Sequence, residues 1–320
     1  MNASFCYSPS TFVFRARIAQ YSFYTISGFL AFSLNLPIVL CVFKFSALRC
    51  NKDYLMVAGL ALADCLFASG HMTGGIYRLV VFSRGLAYCK IPRFWCLLMP
   101  QVWLWRALLP ASAMLLVVSV DRLLTVASPL RYLGRRYAKR FIGSVYLLYF
   151  IYMLVQAVYP VLTGKALVSS YCSTSSVLYK PLYRFELHSA SVLSLLSIFV
   201  FATAVLIYRK HTKVSPILNQ VHDDLYQLQT MRRMTISWGI SSIFTLCFNS
   251  IPRVIDFALA NTSNLHFLRQ FSSYFSVLPH INAMANAFIY GLRHDEVRTA
   301  MRAMIQGKQM PDDLRNWNLS

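Results

Sequence analysis

Acidic residues are scarce in this sequence. Asp and Glu number 11 in 320 residues, against 31 Lys and Arg, and all charged residues together make up 13%, where an ordinary soluble domain carries roughly 25%. So few charges on a chain that is 57% hydrophobic exclude a soluble enzyme and a disordered segment. With 12 Gly there is no collagen-like repeat either. The formal net charge of +20 would suit a nucleic-acid binder, but the basic residues sit between long apolar runs, so nucleic acid is not an expected partner. Short alternating strands separated by turns, the mark of an outer-membrane barrel, are also missing.

What is present is a set of long apolar runs. A helix needs about 20 mainly apolar residues to cross the hydrocarbon core of a bilayer. Seven stretches qualify: 21–43, 54–77, 94–120, 141–164, 187–208, 234–252 and 270–292. Together they hold two formal charges, Asp64 and Arg106. Lipid offers the backbone no hydrogen-bond partners, so the spans are helices and the expected fold is an all-α membrane protein, a seven-transmembrane helix bundle. With the N-terminus outside, the inner segments carry 19 Lys and Arg and the outer ones 11, a moderate positive-inside bias. The chain then divides into an extracellular 1–20, a membrane domain 21–292 and a cytoplasmic 293–320. Sequons at Asn2 and Asn261 fall outside in this topology, and a third at Asn318 falls inside. No cleavable signal peptide is expected, because the first apolar run has span length and no small-residue cleavage site follows it.

Of the eight cysteines, Cys41, Cys65, Cys96 and Cys247 lie in or beside spans. Cys172, in the loop between the fourth and fifth spans, is on the oxidising side; Cys96 at the outer end of the third span is its expected partner, with Cys89 as competitor. Cys6 is available to whichever cysteine is left over.

Three motifs carry the functional reading. At the inner end of the third span stands Asp121-Arg122-Leu123, followed by Pro129, Leu130 and Tyr132 in the string DRLLTVASPLRY. In the second span the carboxylate of Asp64 lies near mid-bilayer, where an ionisable group is costly and marks function by default. In the seventh, Asn282, Asn286 and Tyr290 recur every four residues and share one helix face. Beyond them RHDEVRTAMRAMIQ alternates charge with Val297, Met301, Met304 and Ile305, an amphipathic helix for the inner membrane surface.

These strings resemble rhodopsin-like G-protein-coupled receptors. DRL matches the family's Asp-Arg-Tyr with Leu123 for Tyr, and Pro129-Leu130 with Tyr132 matches its Pro-Leu-x-Tyr. LALADCLF is similar to the family's second span, and Asn35 matches its first-span Asn. Asn286-Ala-Phe-Ile-Tyr290 resembles Asn-Pro-x-x-Tyr with Ala287 for Pro, and the amphipathic segment resembles the eighth helix, although no Cys follows Cys247 to carry a palmitoyl anchor. Pro252 stands where the sixth span kinks, but the usual Trp and Phe before it are Ser250 and Leu246, and the fifth span has Val200 where Pro is usual. The pattern of losses, with RFWCLLMP at the entry to the third span, resembles the divergent chemosensory receptors of nematodes.

The resemblance implies a chemosensory receptor in the cell membrane and no enzyme: an extracellular ligand, a heterotrimeric G protein as inner partner, and no covalent step. Asp121, Arg122, Leu130, Tyr208 and Tyr290 would serve coupling and activation, with the two tyrosines bridging to Arg122 in the active state. Asn35, Asp64, Asn282 and Asn286 would form an intramembrane polar network, with a sodium ion near Asp64. Many members lock the third-span Arg with an acid on the sixth span; here Arg232 takes that place, so restraint of Arg122 should come mainly from Asp121. Leu104 stands where amine receptors carry an Asp, which excludes an amine held by that salt bridge. Arg253, after the kink proline, and Arg78, Arg84, Lys90 and Arg93 at the outer mouth suggest an anionic ligand: a small molecule, a lipid or a peptide terminus. Against it, Arg253 has Asp256 one turn on, and the mouth residues can snorkel to headgroups. Arg106 needs an internal partner. An intramembrane metallohydrolase would require three clustered His or carboxylate ligands, and the spans hold His71, His188 and His280 far apart in sequence. The alternative from another class is a seven-span channel or transporter, for which no internal repeat is visible.

Overall fold

The computed structural model describes residues 11–127, 135–214, 236, 239–252, 254–255 and 277–308. Helix α1 (Thr11–Lys44) is followed by a short α2 (Ser46–Cys50) and by α3 (Lys52–Ser83). Strand β1 (Lys90–Pro92) leads into two five-residue helices, α4 (Arg93–Leu97) and α5 (Pro100–Leu104), and through a 3-10 turn at Trp105–Ala107 into α6 (Leu108–Ala127). Then come α7 (Arg135–Leu162), strand β2 (Leu167–Ser169), α8 (Thr174–Val177), α9 (Lys180–Val214), a π-helical stretch at Leu246–Ser250, α10 (Leu278–Arg293) and α11 (Asp295–Ile305).

Five of these segments are long and apolar enough to cross a bilayer: Arg15–Lys44, Lys52–Ser83, Pro100–Ala127, Tyr137–Leu162 and Lys180–Lys210. They coincide with the first five spans expected from the sequence. The other two, 234–252 and 270–292, fall partly outside the described residues. The outward faces of α7 and α9 are apolar and open, with Leu148 65%, Phe199 71% and Leu206 66% exposed. A surface of that kind needs hydrocarbon around it, which accounts for a hydrophobic content larger than any internal core could use.

Helix α3 is the hub, packed by α1, α5, α6, α7 and α10. Small residues let its neighbours come close, as in other membrane bundles. A Cβ at Gly75 would meet the Tyr21 carbonyl oxygen at 2.9 Å, and one at Gly28 of α1 would meet the Ala68 carbonyl oxygen at 2.7 Å, so α1 and α3 touch backbone to backbone. Before Pro252 the helix widens into the π turn; proline has no N–H to donate, its ring crowds the carbonyl four residues back, and a wide turn relieves both.

Two boundaries differ from the sequence expectation. The third span is not continuous from residue 94: α4 stops at Leu97, Met99 is extended at φ −80°, ψ 123°, and Pro100 opens α5, because a proline pushes the residue before it out of the helical region. The fifth span begins before 187, since α9 starts at Lys180. Glu186 therefore lies inside it and is 5% exposed.

The outer end carries a small lid. β1 and β2 pair antiparallel, Lys90 with Ser169 and Pro92 with Leu167, and the Cys96–Cys172 disulfide fastens the lid to the entry of the third span. That is the expected pairing. Cys89 is disulfide-bonded too; Cys6 lies outside the described residues.

Candidate functional site

The inner end of the bundle is built on a helix cap. The side chain of Asn51 accepts a hydrogen bond from the Asp53 N–H at 2.9 Å, which starts α3 and sets Asp53 in its first turn, where the helix dipole favours a negative charge. Asp121 and Arg122 sit opposite, on the last turns of α6, both buried. Arg122 Nη2 donates to Asp53 Oδ1, and Lys52 Nζ donates to Asp121 Oδ1 and to Thr125 Oγ1, each at 3.3 Å. Asp121 Oδ2 lies 3.5 Å from Arg122. The expectation that Asp121 mainly restrains Arg122 is therefore corrected. Asp53 on the second span makes the direct hydrogen bond, and Asp121 divides its charge between Arg122 and Lys52.

A polar chain runs from here into the core. Asn286 Nδ2 donates to Asp64 Oδ2 at 3.4 Å, Ser241 Oγ donates to Asn286 Oδ1 at 2.5 Å, and Tyr290 Oη donates to Ser241 Oγ at 3.4 Å. Thr245 Oγ1 donates to Asn282 Oδ1 at 3.1 Å. The four-residue spacing of Asn282, Asn286 and Tyr290 thus does face inward, against Ser241 and Thr245 of the sixth segment, two hydroxyls the sequence motifs did not single out. Asn35 is close by in the fold but bonds otherwise. Its Nδ2 donates to the carbonyls of Ala31 at 2.9 Å and Ala283 at 3.1 Å, tying α1 to α10, while its Oδ1 is buried with no hydrogen-bond partner. Tyr208 is half-buried on α9. Leu130, Arg253, Asn2 and Asn261 lie outside the described residues.

Beyond α10, His294 breaks the helix and α11 begins. The face of α11 turned to the bundle is Val297, Ala300 and Ala303, with Met301 and Met304 packed beside them, whereas Ile305 is 81% exposed. His294 stacks on Tyr290 and meets Tyr54 edge-on. Burial pushes its imidazole pKa down.

In the outer half, Arg106 has an internal partner. Its Nε donates to Glu186 Oε2 at 2.7 Å, Nη2 bonds the same oxygen, and the guanidinium lies 4.9 Å from the ring centre of Tyr152. Gln156 Nε2 donates to Tyr152 Oη at 2.7 Å. The sequence did hold a signal for this pair: Glu186 is the one acid between Asp121 and Asp223. Arg78 does not snorkel. It is 4% exposed and stands over the Trp105 ring at 4.7 Å. Arg93 is drawn sideways, donating to Thr163 Oγ1 at 2.6 Å over the Tyr159 ring, while Arg84 and Lys90 are exposed. Leu104 is half-buried, with its backbone pressed against Gly70 of α3, where a Cβ would collide with it. His71 and His280 are core residues with ring centres 4.3 Å apart; His280 Nδ1 is 3.3 Å from Ser27 Oγ. Trp105 packs on His71 and Tyr24.

Most of what joins these residues is interhelical: ion pairs and hydrogen bonds between side chains of different helices. A family model described as serpentine type 7TM GPCR chemoreceptor Srsx matches residues 29–305 of the chain. No curated protein matches it significantly.

Proposed function

The chain belongs to the serpentine 7TM GPCR chemoreceptor family Srsx, and from that premise we propose that it binds an extracellular ligand and activates a heterotrimeric G protein. On this reading seven spans cross the cell membrane between residues 21 and 292, the N-terminal 1–20 is outside with glycans at Asn2 and Asn261, and 293–320 forms an eighth helix and tail inside. The observation that carries the reading is the buried guanidinium of Arg122, held by a carboxylate on a different helix, beside the buried Asp64–Asn286–Ser241–Tyr290 chain.

A ligand acts by binding one of two conformers more tightly. In the active one the inner half of the sixth span moves outward, Arg122 leaves Asp53, and Tyr208 and Tyr290 bridge to it. Arg122, Leu130 and the basic residues Arg209 and Lys210 then receive the α-subunit. The oxygens of Asp64, Asn286 and Ser241, with the unpartnered Asn35 Oδ1, are donors of the kind hard cations take, which supports a sodium ion near Asp64 holding the inactive arrangement. The ligand is anionic and enters the outer half, where Arg78, Leu104 and Arg253 are the candidate contacts.

The test is expression of the wild type and Arg122→Ala with each α-subunit class, measuring nucleotide exchange with and without candidate ligands. Coupling predicts loss in the variant at equal surface expression. Identical exchange in both would remove the claim.

A further inference from the structure

Two arginines are buried in the outer half of the bundle, and they are compensated differently. Arg106 has the carboxylate of Glu186. Arg78 has aromatic rings: its guanidinium carbon lies 4.7 Å from the Trp105 ring centre, 5.5 Å from Tyr21 and 6.0 Å from Tyr171. Its Nε donates to the Tyr171 carbonyl at 3.3 Å. Among the described residues no carboxylate pairs with it. Ring faces attract a cation, but they leave its charge uncancelled, and a buried charge is normally paired.

We propose that Arg78 anchors a carboxylate-binding site walled by Tyr21, Trp105 and Tyr171. This rests on the ligand-binding reading above and specifies its chemistry. Rings cover the guanidinium, and the Tyr171 carbonyl occupies the Nε. The end presenting the two terminal amino groups remains, and a planar two-oxygen anion matches that fork with two parallel hydrogen bonds. A lysine could not make that pair. One cation specifies one carboxylate, and the aromatic walls suit a small apolar body attached to it.

The site is built before a ligand arrives. Tyr171 precedes Cys172 of the lid disulfide; Ser170 N donates to the Cys89 carbonyl at 2.9 Å and accepts at its own carbonyl from Tyr77 Oη at 2.6 Å. Gly75, three residues before Arg78 on α3, lets Tyr21 approach. Tyr21 is buried, whereas Trp105 and Tyr171 are half-exposed, which makes the side between the third span and the lid the proposed way in. Fixed walls reduce the ordering cost of binding.

The experiment uses the full-length protein in nanodiscs, titrated with benzoate and hexanoate and, as neutral counterparts, benzamide and hexanamide, with the thermal unfolding midpoint as readout. At least one acid should raise the midpoint and neither amide should. Arg78→Gln should abolish the shift, and Arg78→Lys, which keeps the charge but loses the fork, should weaken apparent affinity at least tenfold. Should Arg78→Gln fail to fold, the lysine variant decides alone. No shift by either acid, or an equal shift in the arginine variants, overturns the site. Acid binding to the wild type with no nucleotide exchange on any α-subunit class would sink the coupling reading and leave the site standing; ligand-driven exchange in the wild type without acid binding would do the reverse.

Discussion

Arg122 on the third span and Asp53 on the second are joined by a direct charge-assisted hydrogen bond, and the residues beside them, Asp121 and Lys52, form a second pair of opposite sense between the same two helices. On the proposed function, this pair would do between the third and second spans what the lock of many rhodopsin-like receptors does between the third and sixth. The side chains of Arg122 and Asp53 are 5% and 16% exposed, so the pair is too desolvated for the near-zero worth of a surface salt bridge. A hydrogen bond to a charged group at about 1.5 kcal/mol is the fitting scale, which is roughly a tenfold population shift. Asp53→Asn should therefore raise ligand-free nucleotide exchange about tenfold at matched surface expression, and Lys52→Gln, which leaves the direct bond intact, should raise it less. Basal exchange equal to wild type in Asp53→Asn would show that the pair restrains nothing.

The Arg106–Glu186 pair should behave as a buried ion pair in stability. Its side chains are 2% and 7% exposed, and removing one partner strands the other's charge, at a cost of about 3–5 kcal/mol. Arg106→Met and Glu186→Leu should each lower the unfolding midpoint sharply. The double variant should regain most of the loss, because it removes both charges from a site that hydrocarbon side chains can fill. A double-mutant cycle in detergent reads the coupling; additive losses would mean that the two charges are not compensating each other.

The lid disulfide closes a sequence separation of 76 residues, for which the chain-entropy account gives about 4.5 kcal/mol. Cys172→Ser should lower the unfolding midpoint, and reductant, which also opens the disulfide at Cys89, should lower the wild type at least as far. Because Tyr171 is the adjacent residue and a wall of the Arg78 site, carboxylate affinity should drop as well. Retained affinity in the reduced protein would mean that the β1–β2 pairing alone holds the wall.

The helical membrane architecture was legible in the sequence because the bilayer imposes a length and a hydrophobicity that any spanning helix must show. The disulfide was legible because few cysteines reach the outer side. The inward face of Asn282, Asn286 and Tyr290 followed from helical periodicity. Partners were harder to find. Asp53 and Glu186 stand at the ends of apolar runs, where charges ordinarily mark a boundary, and nothing in their local sequence says that they point inward to Arg122 and Arg106. The clue was arithmetic: with 11 acids for 31 basic residues, every buried arginine draws on a short supply. Arg78 was hidden for a different reason. Its compensation comes from rings on α1, on the lid and at Trp105, three places far apart in the chain.

His294 gives the inner end a pH dependence. It sits at the break between α10 and α11, against Tyr290 and Tyr54, with Nε2 buried and unbonded. Burial, its largest influence, lowers its pKa, while Glu296 and Asp53 oppose that. The folded protein therefore favours the neutral ring, and the unfolded chain takes up its proton near the ordinary value of about 6.5. Stability from this group is fully present above that pH and is lost as pH falls below it toward the lowered folded value. The unfolding midpoint should drop as pH falls below about 6.5, and His294→Phe, which keeps the ring stacking without a titrating nitrogen, should lose less over the same fall. Since Val297 and Ala300 follow directly and are fully buried, protonation should also loosen the docking of α11, seen as faster amide exchange across Asp295–Ile305 in the wild type at the lower pH. A midpoint that falls equally in both proteins would assign the acid sensitivity to other groups.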